Sequence, residues 1–201
     1  TYSASQTDDF ALYDAVMYTE NASSQYLLVA SGEGGYVTRD ALSDMSYTDS
    51  WAISGVTPSS IDYFGTDMIL GGYFTQAEFG IGVVEIFSLD VFYGYPSFTE
   101  IIIISGYPKD ITKDSNFIYV ANSLGVSILA YDDLNGSGYF EAGFIRTPGD
   151  AVSVFVDDTY LYISDSTGGM MIVPKPVNVP PFYRDPTNSP YDSLFIIGGQ
   201  A

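Results

Sequence analysis

The sequence contains no cysteine and no histidine among its 201 residues. The absence of cysteine excludes disulfide bonds, a thiolate nucleophile and cysteine-based metal sites. The absence of histidine removes the commonest catalytic base and the commonest ligand of transition metals. Ser-x-x-Lys, P-loop and dinucleotide-binding glycine patterns are also missing. We therefore expect a protein that is not an enzyme, and the acidic residues leave open one alternative, a carboxylate pair of the glycoside hydrolase type.

Basic residues are scarce as well. Six Lys and Arg stand against 25 Asp and Glu, which gives a formal net charge of -19 at pH 7. Such a field repels nucleic acids and anionic membrane surfaces, so we exclude both as direct partners. The acidic residues are mostly aspartate, 19 against six glutamates. Aspartate suits turns and the coordination of hard cations, and it suits a solvated exterior equally well.

What the chain does contain is a repeated pattern of apolar strands. Hydrophobic residues make up 46% of the sequence, with 18 Tyr and 13 Phe, which is enough for a substantial core. Four copies of one unit align on an aspartate that opens the first strand: Asp14, Asp62, Asp110 and Asp150. A second apolar strand follows each time and ends in a small residue, in turn Ala30, Gly72, Ala121 and Ser164. A glycine-led third strand and a fourth strand complete each unit, and the last fourth strand falls at residues 194–197.

This pattern predicts an all-β fold, a β-propeller of four-stranded antiparallel blades. Four strands in roughly 40 to 48 residues is the period of a propeller blade. We place the blades at about residues 11–57, 58–106, 107–149 and 150–199, after a polar N-terminal extension at residues 1–10. A β-sandwich, which also has short strands at regular spacing, is the structural alternative. Four blades predict either a small closed ring or an arc that another copy completes.

Two segments of the chain resemble a known repeat. KDITKDSNFIYVANSLGVSILAY and GDAVSVFVDDTYLYISDSTGGMMIVP are similar to the LVIVD-type propeller repeats of secreted and cell-surface proteins. The resemblance covers residues 107–173 well and residues 12–106 only loosely. One departure is the end of the third strand, where such repeats often have an aspartate followed by proline and this chain offers Asp132 in one copy. The resemblance implies a binding or scaffold architecture and transfers no catalytic residue.

The four aspartates that open the units are the candidate metal ligands. Equivalent positions on the inner strands would bring Asp14, Asp62, Asp110 and Asp150 together around the axis, where they could share a Ca²⁺ ion. The alternative is that each accepts hydrogen bonds from backbone N–H groups of the adjacent blade. Residues 132–138 are loosely similar to a calcium loop, but they lack the later bidentate acid, so a polar hairpin turn is the competing interpretation. Asp157 and Asp158 indicate only a turn between strands.

Two further features concern the exterior. Asn21 and Asn135 begin Asn-x-Ser tripeptides in predicted loops, which makes them candidate glycosylation sites and favours secretion. Residues 174–191 hold six of the ten prolines and form a predicted insertion in the last blade. Within it, Phe182, Tyr183 and Arg184 form an aromatic and basic cluster of the kind enriched at interfaces. This cluster is the candidate partner-binding site, and the alternative is a loop that covers the outer edge of the last blade.

These observations lead to three hypotheses about function. The first is a non-enzymatic extracellular propeller with a structural or interaction role, a self-associating subunit of a cell-surface or filamentous assembly. Its partners would be other copies of itself, surface proteins or glycans. The second is a calcium-dependent carbohydrate-binding propeller, and the third is the glycoside hydrolase with a pair of acids. Concentration-dependent association, saturable glycan binding and hydrolysis distinguish the three.

Overall fold

A computed structural model describes residues 12–21, 24–31, 36–41, 46–52, 55–74, 81–89, 96–132 and 138–176. These residues form fifteen β-strands and no helix. None of them forms a helix that is long and apolar enough to cross a membrane. The strands fall into four antiparallel sheets, in each of which neighbouring strands are consecutive in the chain.

The first sheet consists of β1 (Leu12–Asn21), β2 (Ser24–Ser31), β3 (Tyr36–Ala41) and β4 (Ser46–Ala52). The second consists of β5 (Val56–Phe64), β6 (Asp67–Phe74), β7 (Ile81–Leu89) and β8 (Pro96–Ser105). The third consists of β9 (Pro108–Lys113), β10 (Phe117–Asn122), β11 (Gly125–Asp132) and β12 (Gly138–Arg146). The fourth contains β13 (Ala151–Val156), β14 (Tyr160–Asp165) and β15 (Gly169–Pro174). The strand predicted at residues 194–197 lies outside the described part of the chain.

The conformation of Gly125 explains why the chain turns between β10 and β11. Gly125 follows the β10–β11 turn with a φ of 144°, a conformation that side chains with a Cβ rarely adopt. A Cβ on Gly125 would also collide with the carbonyl oxygen of Ile145 on β12. Glycine is therefore required at this point, where the sequence predicted a break between two strands.

The sheets stack in chain order through their first strands. β1 packs on β5, β5 on β9, and β9 on β13, whereas β13 and β1 make no comparable contact within the described residues. Every residue of β10 is buried, because the third sheet lies between the second and the fourth. The described part of the molecule is therefore a row of four sheets with three junctions between them.

Each junction has its own hydrophobic core. The core between the first and second sheets contains Tyr18, Leu28, Ile61, Met68 and Leu70. The core between the second and third contains Ile69, Val84, Ile86, Ile102, Ile111, Ile118, Val120 and Leu129. The core between the third and fourth contains Phe117, Tyr119, Ile128, Val154, Leu161 and Ile163. Even and odd residues of one strand enter opposite cores, as the two-residue period of a strand requires.

Small residues allow the first strands to approach the second strands closely. A Cβ on Gly71 would come within 2.9 Å of Pro108 Cβ in the next sheet. A Cβ on Gly72 would come within 2.6 Å of the carbonyl oxygen of Thr57 on β5. The small residue at the end of the second strand thus has the packing role that the sequence predicted.

Candidate functional site

Asp14 and Asp110 connect neighbouring sheets through the backbone in the same way. Oδ1 of Asp14 accepts a hydrogen bond from Ala15 N at 2.8 Å, and its Oδ2 accepts one from Ile61 N in the second sheet at 2.9 Å. Asp110 repeats this arrangement with Ile111 N at 2.9 Å and Val154 N in the fourth sheet at 2.8 Å. These are the bonds to the adjacent blade that the sequence offered as the alternative to a shared cation.

The prediction that four aspartates occupy equivalent positions is wrong for Asp62 and Asp150. Asp14 and Asp110 lie opposite Ala30 and Ala121, each just after a register shift. In the second and fourth sheets the residues at this place, opposite Gly71 and Ser164, are serines: Ser60 and Ser153. Register shifts and loops of unequal length change the number of residues between equivalent positions in successive sheets. Because spacing in the sequence does not reveal a bulge, it does not identify these positions.

Asp62 lies two residues after the equivalent position and acts similarly from there. Its carboxylate accepts hydrogen bonds from Tyr63 N and from Lys113 N in the third sheet. Because two residues are one pleat repeat, the side chain stays on the same face of β5. Asp150 precedes β13, is 48% exposed, and pairs with Lys109 Nζ at 2.7 Å.

Two of these carboxylates, Asp62 and Asp14, have raised pKa values, mainly because they are buried. Burial is the main reason that the pKa of Asp62 rises to about 6, and the charges of Asp110 and Asp14 add to the effect. Burial likewise raises the pKa of Asp14. Within the described residues, no group of three or more acidic side chains is placed to hold a metal ion. The shared Ca²⁺ ion therefore stays a prediction.

A second repeated motif was missed by the sequence analysis. Asp114 accepts hydrogen bonds from Asn116 N at 2.8 Å, Phe117 N at 2.9 Å and the Tyr119 hydroxyl at 3.1 Å. Asp157 accepts the corresponding bonds from Thr159 N, Tyr160 N and the Tyr162 hydroxyl, each at 2.7 Å. The signal in the sequence was the pattern Asp-x-Asn/Thr-aromatic-x-Tyr, present before β10 and again before β14. Asp157 is thus more than the turn residue that we predicted, since it fixes a tyrosine on the sheet face.

The two tyrosines of this motif have different surroundings. Tyr119 is fully buried between the third and fourth sheets. Tyr162 is only half-buried, because no described sheet covers its face. Large apolar neighbours share this exposure: Phe155 is 62%, Met170 71% and Ile172 56% exposed. We call these four residues, with Tyr160, the outer face of the fourth sheet.

The opposite end of the row has an exposed face too. On β1 the side chains of Tyr13 and Met17 are 48% and 54% exposed, and Ala15 between them is also exposed. Their neighbours Val16 and Tyr18 point to the other side and pack against the second sheet. We call Tyr13, Ala15 and Met17 the outer face of the first sheet.

A cleft of about 590 Å³ opens between the second and third sheets, lined by Asp67, Ile86, Thr99, Glu100, Tyr131, Gly138 and Tyr139. Glu100 accepts a hydrogen bond from Tyr139 N at 2.7 Å, and a Cβ on Gly138 would collide with its carboxylate. The rings of Tyr131 and Tyr139 meet edge to face at 5.0 Å. Lys113, which is largely buried, donates to the Tyr139 hydroxyl at 2.9 Å and to Asp67 at 3.4 Å. Carboxylate acceptors beside exposed aromatic rings suit a neutral, hydroxyl-rich ligand.

The remaining candidate residues fall at or beyond the edges of the described structure. Asn21 is the last residue of β1 and pairs with Ser24, the first residue of β2. Asn135 and the cluster of Phe182, Tyr183 and Arg184 lie outside the described residues. Their glycosylation and partner-binding roles stay predictions.

Comparisons with known proteins agree with this architecture. Residues 148–173 match the model of the LVIVD repeat family. These residues contain the Asp157–Tyr162 motif and the turn that joins β14 to β15. None of the curated proteins searched matches the chain. Among solved structures, the computationally designed Ika4 protein is similar, with a TM-score of 0.52 and 10% sequence identity over 82% of this chain and 91% of that chain.

The fold therefore defines an all-β protein of the β-propeller class. The predicted LVIVD resemblance is confirmed, and the family match falls on residues 148–173.

Proposed function

We propose that this chain is a non-enzymatic propeller module with a structural and interaction role, an extracellular subunit that associates with further copies in a cell-surface or filamentous assembly. The observation that carries the proposal is the pair of apolar faces, at the two ends of the row of sheets, that no described sheet covers. Contiguous exposed apolar surface of this kind commonly marks a protein interface.

Two other features support the proposal. The surface carries a net charge of -19, which keeps the separate chain soluble and discourages unspecific aggregation. Asn21 lies at the end of β1, beyond the residues of that strand that pack between sheets, so a glycan there would not interfere with this packing. An extracellular location accounts for both a glycan and an acidic, lysine-poor exterior.

Sedimentation velocity across a wide range of protein concentrations tests the proposal. We expect the mass-average sedimentation coefficient to rise with concentration as copies associate. A strictly monomeric chain at every concentration would contradict it. Electron micrographs of the associated sample then distinguish a ring of copies from a filament.

The cleft between the second and third sheets favours a second candidate function, carbohydrate binding. Tyr131 supplies a half-exposed ring, and Glu100 and Asp67 supply acceptors for sugar hydroxyl groups. A glycan array probed with the wild type and with Tyr131→Ala tests this candidate. Saturable glycan binding that the substitution abolishes would support it, and equal signals from both proteins would remove the cleft from consideration.

A further inference from the structure

Strand register identifies what normally covers the outer face of the fourth sheet. Phe155, Tyr162 and Ile172 lie opposite one another across β13, β14 and β15. The corresponding row in the third sheet is Thr112, Tyr119 and Ile128, and in the second sheet it is Asp62, Ile69 and Ile86. These rows correspond because each begins two residues after the equivalent position defined by Asp110, Ser60 and Ser153.

The second and third residues of the corresponding rows are buried in the second and third sheets. Tyr119 and Ile69 are 0% exposed, and Ile128 and Ile86 are 1% and 3% exposed. In each case the cover is the next sheet of the chain, through the cores described above. The row of the fourth sheet also has an aromatic and an aliphatic residue at these two positions, Tyr162 and Ile172, but no such cover in the described structure.

The covering surface is also a repeated feature. Each covering sheet presents the residue that follows its equivalent position: Ile61, Ile111 and Val154, all no more than 4% exposed. In the first sheet the same position is Ala15, and Met17 lies one pleat further along β1. The chain thus carries a fourth surface of the covering type, and that surface is exposed.

The row of sheets also has a two-sheet period, which indicates how the two exposed faces match. Aspartate occupies the equivalent position in the first and third sheets, and serine occupies it in the second and fourth. A junction from a fourth sheet to a first sheet would therefore correspond to the junction from the second sheet to the third. At that junction Asp62 meets the backbone of Lys113. Phe155 lies two residues after the equivalent position of its sheet, as Asp62 does, and Met17 lies three residues after that of its sheet, as Lys113 does. The corresponding pair is therefore Phe155 and Met17, two exposed apolar side chains.

We infer that copies of this chain join head to tail, with the outer face of the fourth sheet packed on the outer face of the first sheet of the next copy, and with Phe155 of one copy against Met17 of the other. The inference rests on the proposed self-association and specifies the surfaces that perform it. A second copy is the occupant because, among the described residues, the outer face of the first sheet is the covering surface of the repeat that is still exposed, and a second copy supplies it. Within a single chain, β13 and β1 do not pack together in the described structure.

Cross-linking tests the pairing directly, because the natural chain has no cysteine. Phe155→Cys and Met17→Cys are prepared as separate proteins, mixed, and treated with an oxidant or a short bismaleimide. We expect cross-linked heterodimers in this mixture, since a disulfide requires Cα atoms within about 7 Å of each other. Ser115→Cys, on the exposed β9–β10 turn, replaces Met17→Cys in the control mixture and should give none.

A charge placed in the junction tests the same surfaces without cross-linking. Ile172→Asp should weaken association roughly tenfold or more, because the corresponding residues Ile86 and Ile128 are buried by the next sheet, so the carboxylate would be buried without a partner. Ile103→Asp is the matched control, since Ile103 is a similarly exposed isoleucine on β8. Circular dichroism and thermal melting confirm that both variants are folded.

The outcomes separate this inference from the function on which it rests. If association persists unchanged in Ile172→Asp and no heterodimer forms, the chain still self-associates and the inferred faces are wrong. If the double variant Met17→Cys/Phe155→Cys cross-links within single chains, the row closes on itself and the inference is overturned. If the full chain is monomeric but associates after removal of residues 177–201, that segment occupies the face, and the inference is overturned again.

Discussion

Among individual residues, Glu85 shows how stacked sheets enclose a carboxylate. It lies on β7 between Leu70 and Ile101 in register, and only 6% of it is exposed. Its Oε2 atom has no hydrogen-bond partner among the described residues. Burial therefore raises the pKa of Glu85 from 4.5 to about 6. The protonated acid fits this apolar position better than the carboxylate does.

This shift predicts a pH-dependent stability that Glu85→Leu should remove. Because the folded-state pKa is raised, the contribution of Glu85 is fully present below the ordinary pKa of 4.5 and is lost as pH rises through about 6. At neutral pH the ionised side chain costs about 2 kcal/mol. The melting temperature of Glu85→Leu should therefore exceed that of the wild type by a margin that grows as pH rises from 4.5 through about 6. A difference between Glu85→Leu and the wild type that stays constant across this interval would refute the argument.

At the scale of strands and sheets, the predicted aspartates have two roles: some join neighbouring sheets by hydrogen bonds, and one lies at the surface. Asp110 joins β9 to β13 through Val154 N, which belongs to a residue that is 4% exposed. Asp150 holds only an exposed ion pair with Lys109. Both were predicted to have one role, and the structure gives them different ones.

Replacing each aspartate by alanine should reveal the difference. Asp110→Ala leaves a buried N–H group without its partner, which costs about 1–3 kcal/mol, although relief of repulsion with Asp14 and Asp62 offsets part of the loss. Asp150→Ala removes a surface ion pair and should cost about 0–1 kcal/mol. Urea denaturation of both variants provides the free energies of unfolding. Equal losses would mean that the bond between the sheets contributes nothing.

Local pattern predicted the strands well and their register poorly. Phe117 to Ala121 was expected to be a strand because it is rich in aromatic and β-branched residues, and β10 contains it. The equivalence of Asp62 with Asp110 failed, because it depends on bulges that single residues do not signal. The sequence left open whether the four blades close into a ring or form an arc with exposed faces, so the residues of those faces were not identified. Phe155 and Ile172 have the composition of core strand residues, and only the stacking order shows that no described sheet covers them.

The whole molecule combines an apolar face at each end with a strongly acidic surface. A net charge of -19 means that approaching copies repel each other at long range. In the inferred junction the exposed outer faces would attract each other only at contact, through burial of Phe155, Met170 and Ile172. The proposed association would therefore reflect a balance between a screened repulsion and an unscreened attraction.

This balance predicts that salt strengthens association. The Debye length falls from about 30 Å at 0.01 M to about 8 Å at physiological ionic strength, so added NaCl weakens the repulsion and leaves the apolar contact intact. Sulfate at equal ionic strength should act more strongly, since it also favours apolar burial. Sedimentation velocity at increasing salt measures the effect, with Ile172→Asp as a control that should respond far less. Dissociation by NaCl would instead mean that ion pairs hold the copies together, and it would contradict an apolar junction between the fourth and first sheets.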